Sequence, residues 1–403
     1  MNRVVVTGLG AVTPLGHDVP SYWAGLKAGE DGIRPVEQIP LEKLNQKVLG
    51  EVKGFEPLKH FDDRQISLLD RVSQFAVVAA REAIAQSGLK FEGELSERTA
   101  AIMGTGTGGQ TTVDDSYKRL YGDKNPRVFP LTIPKLMVNA PASQVSMHCG
   151  LRGPSFAVAS ACASATHAIG LSYQMVRAGI AKAAVTGGAE ACLTLGGIKC
   201  WEAMRVMSPD KVRPFSKDRK GMIIGEGAAA LVLETEDAAR RRGAEILGEI
   251  AGFGMSADAK DITAPDAGGM GRALKAALAD ASLNPGDVQY VNAHGTGTTA
   301  NDRTETEALK AVFGNHAKQL AVSATKSMIG HALGAAGALE MVATVMSLRE
   351  GVITPTINYL GPDPECDLDY VPNEARGMKM DIGISNSFAF GGLNAVLAAK
   401  RYS

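Results

Sequence analysis

Short runs of apolar residues alternate with longer amphipathic stretches along the whole chain. The short runs predict buried β-strands, and apolar positions that recur with the period of a helix predict α-helices. A regular alternation of strand and helix is typical of an α/β architecture. The predicted strands lie at 4–6, 99–103, 183–186, 228–233, 246–253, 288–292, 320–323, 383–386 and 395–399, and the predicted helices at 67–87, 236–242, 271–281, 304–313 and 334–349.

Two parts of the chain share this organisation. In each part a strand leads into a chemically reactive side chain, and a helix follows it. No sequence repeat is obvious, but the shared order predicts two related halves, residues 1–250 with a candidate nucleophile and residues 251–403 with two candidate histidines. No Pro/Ser-rich linker separates the halves, so we expect them to pack closely.

The composition argues against several classes of protein. Of the 403 residues 45% are hydrophobic and 21% charged, and the formal net charge of −1 leaves no basic excess for nucleic acid. No apolar run approaches the ~20 residues of a membrane span, and the first residues predict a strand rather than a signal peptide. The five cysteines are odd in number and lack CxxC spacing, which favours a reducing compartment, the cytoplasm, over a disulfide framework.

One glycine motif has two interpretations. Gly104, Gly106 and Gly109 match G-x-G-x-x-G directly after a predicted strand. Without a convincing βαβ unit and an acidic partner, the match is weak support for a dinucleotide-binding loop. We interpret it as a tight turn beside the functional site.

Cys162 is the leading candidate for chemistry. It follows a short apolar run and precedes Ile169, Tyr173 and Val176, which recur at helical spacing. A helix that starts near Cys162 would place the sulfur at a positive helix end, which favours the nucleophilic thiolate. A lone cysteine is more often a buried structural residue. Two histidine motifs further along the chain favour the catalytic interpretation.

His294 and His331 both lie between a predicted strand and a helix, beside glycines. That setting presents a side chain at the edge of a sheet. One cysteine and two such histidines fit acyl-thioester chemistry. The glycine-rich turn at 386–392 adds backbone N–H groups that could form an oxyanion hole.

Several spaced motifs, in order and over essentially the whole chain, resemble the type II β-ketoacyl-acyl-carrier-protein synthases, condensing enzymes of the thiolase superfamily. The resemblance implies the thiolase fold, in which two related halves form a five-layered αβαβα sandwich, and a homodimer. The motifs are residues 6–10 (VTGLG), 150–154 (GLRGP), 161–164 (ACAS), 213–216 (RPFS), 225–227 (GEG), 294–298 (HGTGT), 325–331 (TKSMIGH) and 388–392 (FAFGG).

The resemblance implies an acyltransferase reaction in two halves. Cys162 takes an acyl chain from acyl carrier protein. Malonyl-carrier protein then loses CO₂, and its carbanion attacks the acyl-cysteine to give a 3-oxoacyl thioester two carbons longer. His294 and His331 would stabilise the enolate as neutral N–H donors. No metal and no organic cofactor is expected, because the substrates are carried on the 4'-phosphopantetheine of the carrier protein.

The family pattern also implies roles for further residues. The oxyanion hole would consist of the backbone N–H groups of Cys162 and Phe390, and Phe390, with Phe388 in the same turn, would gate the two half-reactions. One oxyanion donor is worth roughly 3–4 kcal/mol, against roughly 0.3–1 kcal/mol for the helix dipole. Lys326 would lie beside His331, with Glu340 as its partner, and would keep that histidine neutral.

Substrate contacts are implied in the same way. Thr296 and Thr298 resemble the threonines that bind the pantetheine arm. Thr107 and Trp201 lie at acyl-pocket positions where an isoleucine and a phenylalanine are common, so Thr107 would add room and polarity and Trp201 would shorten or reshape the tunnel. Docking of the acidic carrier protein would rest on exposed arginines, namely Arg64, Arg127 and Arg205.

Two segments, 199–205 and 299–305, look more like the nodulation protein E type, similar synthases that make specialised acyl chains. We therefore hypothesise a specialised lipid pathway. Three alternatives remain. A coenzyme A thiolase would carry a second cysteine near its C-terminus, and a Cys–His hydrolase would leave Lys326 and one histidine unexplained. The chain could also be a non-catalytic or partner-dependent subunit of a heterodimeric synthase, although such subunits usually lack the nucleophile.

Overall fold

The computed structural model describes residues 2–402 as alternating strands and helices. The β-strands are Val4–Val12 (β1), Arg34–Pro35 (β2), Val48–Leu49 (β3), Thr99–Gly104 (β4), Ser155–Val158 (β5), Ala183–Glu190 (β6), Gly227–Thr235 (β7), Gly248–Ala257 (β8), Tyr290–Asn292 (β9), Ala321–Ser323 (β10), Val352–Ile353 (β11), Arg376–Gly377 (β12), Ile382–Ala389 (β13) and Leu393–Lys400 (β14).

The helices fill the connections between these strands. The α-helices are Val19–Ala28 (α1), Asp63–Leu68 (α2), Arg71–Ser87 (α3), Gly93–Glu97 (α4), Gln110–Tyr117 (α5), Thr132–Leu136 (α6), Ala140–Cys149 (α7), Ser164–Arg177 (α8), Leu195–Met204 (α9), Glu236–Arg241 (α10), Ala267–Asp280 (α11), Thr299–Phe313 (α12), Lys326–Ile329 (α13) and Ala336–Glu350 (α14). Shorter helical turns occupy Leu41–Lys43, Pro57–Lys59, Lys118–Gly122, Pro285–Asp287, Gly314–Gln319 and Leu333–Ala335.

The main sheet consists of two five-stranded halves with the same internal order. The N-terminal half runs β5-β4-β6-β7-β1 and the C-terminal half β10-β9-β13-β14-β8. In both, the first three strands are parallel, and the fourth and fifth join antiparallel. Pairing between β1 and β8 joins the halves into one ten-stranded sheet. The matched order reveals the two related halves, while the division drawn at residue 250, inside β8, stays a prediction.

Helices pack in three layers around the two half-sheets. The inner layer contains α8 and α14, which contact each other and strands of both halves. An outer layer of α3 and α7 covers the N-terminal half, and α11 with α12 covers the other. The resulting order is αβαβα. Every residue of α14 from 336 to 345 is buried, as expected of a helix enclosed on all sides.

The first strand extends beyond the predicted strand at 4–6 and includes two glycines, residues that more often mark a turn. Strand β1 continues through Gly8 and Gly10 to Val12. A Cβ at Gly8 would lie 1.9 Å from the backbone oxygen of Ala83, and one at Gly10 equally close to that of Ala79. Glycine is therefore needed here because α3 approaches the strand closely, and a turn is not the reason.

The predicted helix at 67–87 is in fact two helices. Helix α2 ends at Leu68 and α3 begins at Arg71. Asp70 caps α3 by accepting a hydrogen bond from the N–H of Val72 at 3.0 Å. The hydrophobic spacing continues across the break and conceals it, whereas an aspartate before a helix is a capping signal. No helix in the described part of the chain is both long and apolar enough to cross a membrane.

Candidate active site

Three connections bring the leading candidate residues together. Cys162 lies between β5 and α8, His294 follows β9, and His331 follows α13. One potential ligand atom of each side chain lies within 4.8 Å of the other two. All three are buried, and they line a cavity of about 370 Å³. The cysteine motif and the two histidine motifs, which follow it by more than a hundred residues, therefore form one site.

The turn at Cys162 is strained, and the sulfur is enclosed. Ala161 has a φ of +49°, which is rare for a residue other than glycine. Burial raises the pKa of the Cys162 thiol to about 11, with the charge of Lys326 opposing the rise. The expectation that the helix position favours a resting thiolate is wrong, because desolvation of the sulfur anion outweighs a dipole worth roughly 0.3–1 kcal/mol.

Two backbone N–H groups face the Cys162 sulfur. They belong to Phe390 and to Cys162 itself, and each lowers the pKa of the thiol in opposition to burial. Gly391 and Gly392 follow with φ of +82° and +68°, so the turn that holds Phe390 depends on glycine. The donors occupy the place where an oxyanion hole is predicted, and their catalytic role stays a prediction.

Both active-site histidines are neutral. Burial lowers the pKa of His294 and of His331 well below the ordinary value, and the charge of Lys326 lowers both further. The N–H of Leu333 donates to Nδ1 of His331 at 3.2 Å, and the Lys326 ammonium faces Nδ1 of His294 at 3.4 Å. Each neutral ring therefore carries its proton on Nε2. The ring centroids are 5.4 Å apart.

Lys326 lies beside a different histidine from the one expected. Its ammonium contacts His294, through Nδ1 and through the backbone oxygen at 2.6 Å, and not His331. The reason is topological: β9 and β10 are parallel neighbours, so the residues after them meet at one sheet edge. The predicted partner is present, since the ammonium also donates to Oε1 of Glu340. Burial raises the pKa of Glu340 to about 7, and Lys326 opposes this.

The sequence reasoning missed a buried carboxylate beneath His294. Glu305 accepts hydrogen bonds from the N–H groups of His294 at 2.8 Å and Gly295 at 2.9 Å, and from the amide of Asn386 at 3.0 Å. It thereby ties the histidine loop to β13. One signal was available: Asp302 and Glu305 lie one turn apart at the start of α12, directly after the histidine motif, and both are buried.

Within residues 2–402, the other side chains implied by the resemblance divide into those that line the cavity and the two acyl-pocket candidates, which do not. Thr296, Thr298, Phe388 and Phe390 line the cavity with Cys162. Thr298 also caps α12 by accepting from the N–H of Asn301 at 3.3 Å, so part of its role is structural.

Of the described residues, the two acyl-pocket candidates are not among those that line this cavity. The Thr107 hydroxyl donates to Glu190 at 2.7 Å. This hydroxyl was expected to make the acyl pocket more polar, but its proton is already used in that hydrogen bond. Trp201 stacks on Phe390, with ring centroids 6.2 Å apart and an angle of 26° between the planes. Trp201 therefore contacts the predicted gate directly.

The side chains of Cys162, His294 and His331 have the chemistry to hold a metal ion. Their sulfur and ring nitrogens lie within 4.8 Å of one another and form a set that suits a soft cation. Several buried side-chain oxygens have no hydrogen-bond partner among residues 2–402. They include Asn292 Oδ1, Glu340 Oε2, Ser385 Oγ and Asn386 Oδ1.

Comparisons with known proteins agree with this geometry. The family model "Beta-ketoacyl synthase, N-terminal domain" matches residues 1–239, and "Beta-ketoacyl synthase, C-terminal domain" matches residues 247–360. Nodulation protein E of Rhizobium sp. (strain N33) is 48% identical over 99% of both chains. The 3-oxoacyl-[acyl-carrier-protein] synthase 2 of Synechocystis is 43% identical over 99% of this chain and 98% of its own.

Solved structures give the same result. The ishigamide ketosynthase/chain length factor superposes with a TM-score of 0.96 at 36% identity over 100% of both chains. The AntDE:AntF complex of a type II PKS acyl-carrier protein with its ketosynthase superposes with a TM-score of 0.90 at 30% identity, again over 100% of both.

Fold and site together define a thiolase-fold condensing enzyme of the acyltransferase class. The chain belongs to the β-ketoacyl synthase family, with full-length relatives among the nodulation E proteins and the 3-oxoacyl-[acyl-carrier-protein] synthases.

Proposed function

We propose that this enzyme extends an acyl group held on Cys162 by two carbons, with malonyl-carrier protein as the donor, in a decarboxylative Claisen condensation. The observation that carries the proposal is the enclosed cluster of one thiol and two neutral imidazoles within 4.8 Å, with two backbone N–H groups facing the sulfur. No general base of high pKa is required, because loss of CO₂ generates the carbanion.

In the first half-reaction the Cys162 sulfur attacks the carbonyl of an acyl thioester. The N–H groups of Cys162 and Phe390 donate hydrogen bonds to the oxyanion, and the C–S bond to the carrier breaks. The proton of the Cys162 thiol ends on the departing carrier thiol, so the exchange is balanced. The raised pKa keeps the free thiol protonated and therefore protected at rest.

In the second half-reaction the malonyl thioester loses CO₂, and negative charge develops on its thioester oxygen. The Nε2–H groups of His294 and His331 donate to that oxygen as neutral imidazoles, and their low pKa keeps them in this form. The enolate carbon then attacks the acyl carbonyl on Cys162. Collapse of the tetrahedral intermediate breaks the C–S bond to Cys162 and releases the 3-oxoacyl product, and the cysteine thiolate takes a proton from solvent.

The test is the intact mass of the protein after mixing with acyl-carrier proteins of different chain length and saturation, with Cys162→Ala as the matched control. We expect a thioester-sized mass gain on the native chain alone, followed by its loss and release of a 3-oxoacyl product when malonyl-carrier protein is added. A preference for ordinary saturated long chains would refute the hypothesis of a specialised pathway. No mass gain with any substrate would refute the stand-alone synthase and favour a partner-dependent subunit.

Acyl carrier protein is the proposed protein partner. The AntDE:AntF structure, a similar ketosynthase with its carrier protein, supports this assignment. Arg64, Arg127 and Arg205 are all exposed and available to an acidic partner. If they steer docking, the acylation rate should fall as ionic strength rises, and charge reversal at all three should remove that dependence.

We also propose a homodimer, on the basis of an exposed apolar surface. Within the described residues β5 pairs only with β4, so its other edge is open, and clusters of exposed apolar side chains typically mark protein interfaces. Light scattering should give twice the mass of the chain, and Phe156→Asp on β5 should reduce it. The exposed apolar side chains of the proposed dimer surface are Tyr117, Tyr121, Val128, Phe129, Leu131, Ile133, Met137, Val138, Met147 and Phe156.

The expected compartment is the cytoplasm, and the reaction as proposed uses no organic cofactor. All five cysteines are free, which suits a reducing environment. Enzyme purified without added cofactor or metal should support a full turnover on carrier-bound substrates. Dialysis against a chelator tests the candidate metal-binding group of Cys162, His294 and His331 directly, and a loss of turnover that added metal restores would contradict the expectation.

A further inference from the structure

Glu190 is a buried carboxylate that joins the two halves of the enzyme and that the proposed reaction does not use. It ends β6, and none of its surface is exposed. Its oxygens accept five hydrogen bonds, three from backbone N–H groups and two from threonine hydroxyls. The donors are Thr105 Oγ1, Gly106 N, Thr107 N, Thr107 Oγ1 and Gly334 N.

The backbone approaches this carboxylate more closely than a side chain would allow. Gly106 N and Gly334 N donate to the same oxygen at 2.7 and 2.8 Å. A Cβ on Gly334 would lie 2.2 Å from Gly106 N and 2.7 Å from Glu190 Oε2. Every partner is a donor, an arrangement that an ionised carboxylate satisfies and an amide does not. Glu190 is therefore a specific link between the loop after β4 and the turn after His331.

The turn after His331 contains a strained residue. Leu333 has a φ of +40°, a conformation that is unfavourable for a residue other than glycine unless its surroundings hold it. In this conformation the Leu333 N–H reaches Nδ1 of His331 at 3.2 Å. That hydrogen bond places the ring proton on Nε2. The next peptide, at Gly334, is the one that Glu190 holds.

We infer that Glu190 is a positioning residue for His331: it holds the Gly334 peptide, and so keeps Leu333 in the conformation that directs the Nε2–H of His331 into the cavity. The inference rests on the proposed function, because the direction of the His331 Nε2–H matters only if that N–H stabilises the malonyl enolate. It predicts that Glu190 affects decarboxylation much more than transfer of the acyl group to Cys162.

The test compares the two half-reactions in Glu190→Met, whose side chain has a similar length but no oxygen to accept from the N–H groups of Gly106 and Gly334. We expect decarboxylation of malonyl-carrier protein to fall about 10²-fold in kcat, with little change in KM, while the thioester-sized mass gain on Cys162 is retained. The ¹⁵N spectrum of His331, assigned with His331→Ala, should lose its pure Nε2–H signature. A structural defect alone would not move that signal selectively.

Glu82→Met is the matched control. Glu82 also accepts two backbone hydrogen bonds, from Ala11 at 2.8 Å and Val19 at 2.7 Å, and it contacts none of the catalytic candidates. Its substitution should leave the ratio of the two half-reactions unchanged. Should Glu190→Met fail to fold, Glu190→Asp keeps the charge on a shorter side chain and permits the same comparison.

Three results separate this inference from the proposed function. A folded Glu190 variant that decarboxylates at the native rate overturns the positioning role. A loss of decarboxylation with an unchanged His331 spectrum also overturns it. If the native enzyme never acquires an acyl group on Cys162, the proposed function fails instead, and the His331 spectrum of the variant still decides whether Glu190 positions that ring.

Discussion

Lys326 donates a hydrogen bond from its ammonium to the backbone oxygen of His294 at 2.6 Å, across 32 residues of sequence. Both side chains are buried, and the same ammonium faces Nδ1 of the imidazole. The lysine thus acts on His294 in two ways: it disfavours the imidazolium, and it sets which nitrogen carries the proton. Glu340 neutralises the charge that this arrangement buries.

Lys326→Met should move the acid limb of malonyl decarboxylation to higher pH. The lysine's positive charge lowers the pKa of His294 and His331, so its removal raises both. The histidines would then take up a proton on Nδ1 at a higher pH. On His331 this proton conflicts with the hydrogen bond from the Leu333 N–H, so the ring loses its orientation and the rate should fall more at about pH 6 than at about pH 8. Lys275→Met, at an exposed lysine on α11, is the control. If the acid limb of the pH profile is the same in Lys326→Met as in the native enzyme, the electrostatic role of Lys326 is contradicted.

Cys162 should react slowly with iodoacetamide at neutral pH. Because burial raises its pKa to about 11, the thiolate fraction and the alkylation rate should rise about tenfold per pH unit through the accessible range. Peptide mapping separates Cys162 from the other four cysteines, and Cys162→Ala identifies its peptide. A rate that reaches a plateau near neutral pH would mean that the sulfur is already a thiolate.

Gly8→Ala should destabilise the fold by about 1–3 kcal/mol, because the added Cβ would overlap the backbone oxygen of Ala83. Gly286→Ala is the matched control, since nothing lies within 4 Å of the added carbon there. Its effect should stay within about 0.5 kcal/mol. Equilibrium unfolding in denaturant measures both variants. Equal midpoints would show that α3 can move away from β1 without cost.

Trp201→Phe should shift the acyl preference toward longer chains. The indole stacks on Phe390 next to the site, and a smaller ring leaves space at that contact. Competition among carrier proteins with different acyl lengths, read by the mass on Cys162, measures the shift. Trp23→Phe alters the only other tryptophan, buried in α1, and should leave the ranking unchanged. An unaltered ranking for Trp201→Phe would remove this residue from the acyl pocket.

Local patterns in the sequence indicated an α/β chain in two related halves and the candidate cysteine and histidines, whereas the five-layered fold and the role of Lys326 were expectations from the family resemblance. Apolar runs placed the main strands because a buried strand needs apolar side chains wherever it lies. Cys162, His294, His331 and Lys326 stand in short glycine-rich or small-residue motifs, and such motifs depend on neighbouring residues alone. They were therefore visible before any contact was known.

Only the tertiary structure decided how these groups behave. The pairing of Lys326 with His294 follows from the parallel register of β9 and β10, which no local motif encodes. Position 8 requires glycine because a distant helix packs closely against the strand there. The pKa of Cys162 rises because several segments enclose the sulfur together, and this desolvation exceeds the helix dipole that the local sequence predicts. Propensity and motif are properties of nearby residues, whereas burial and electrostatic partnership arise from residues that the fold brings together.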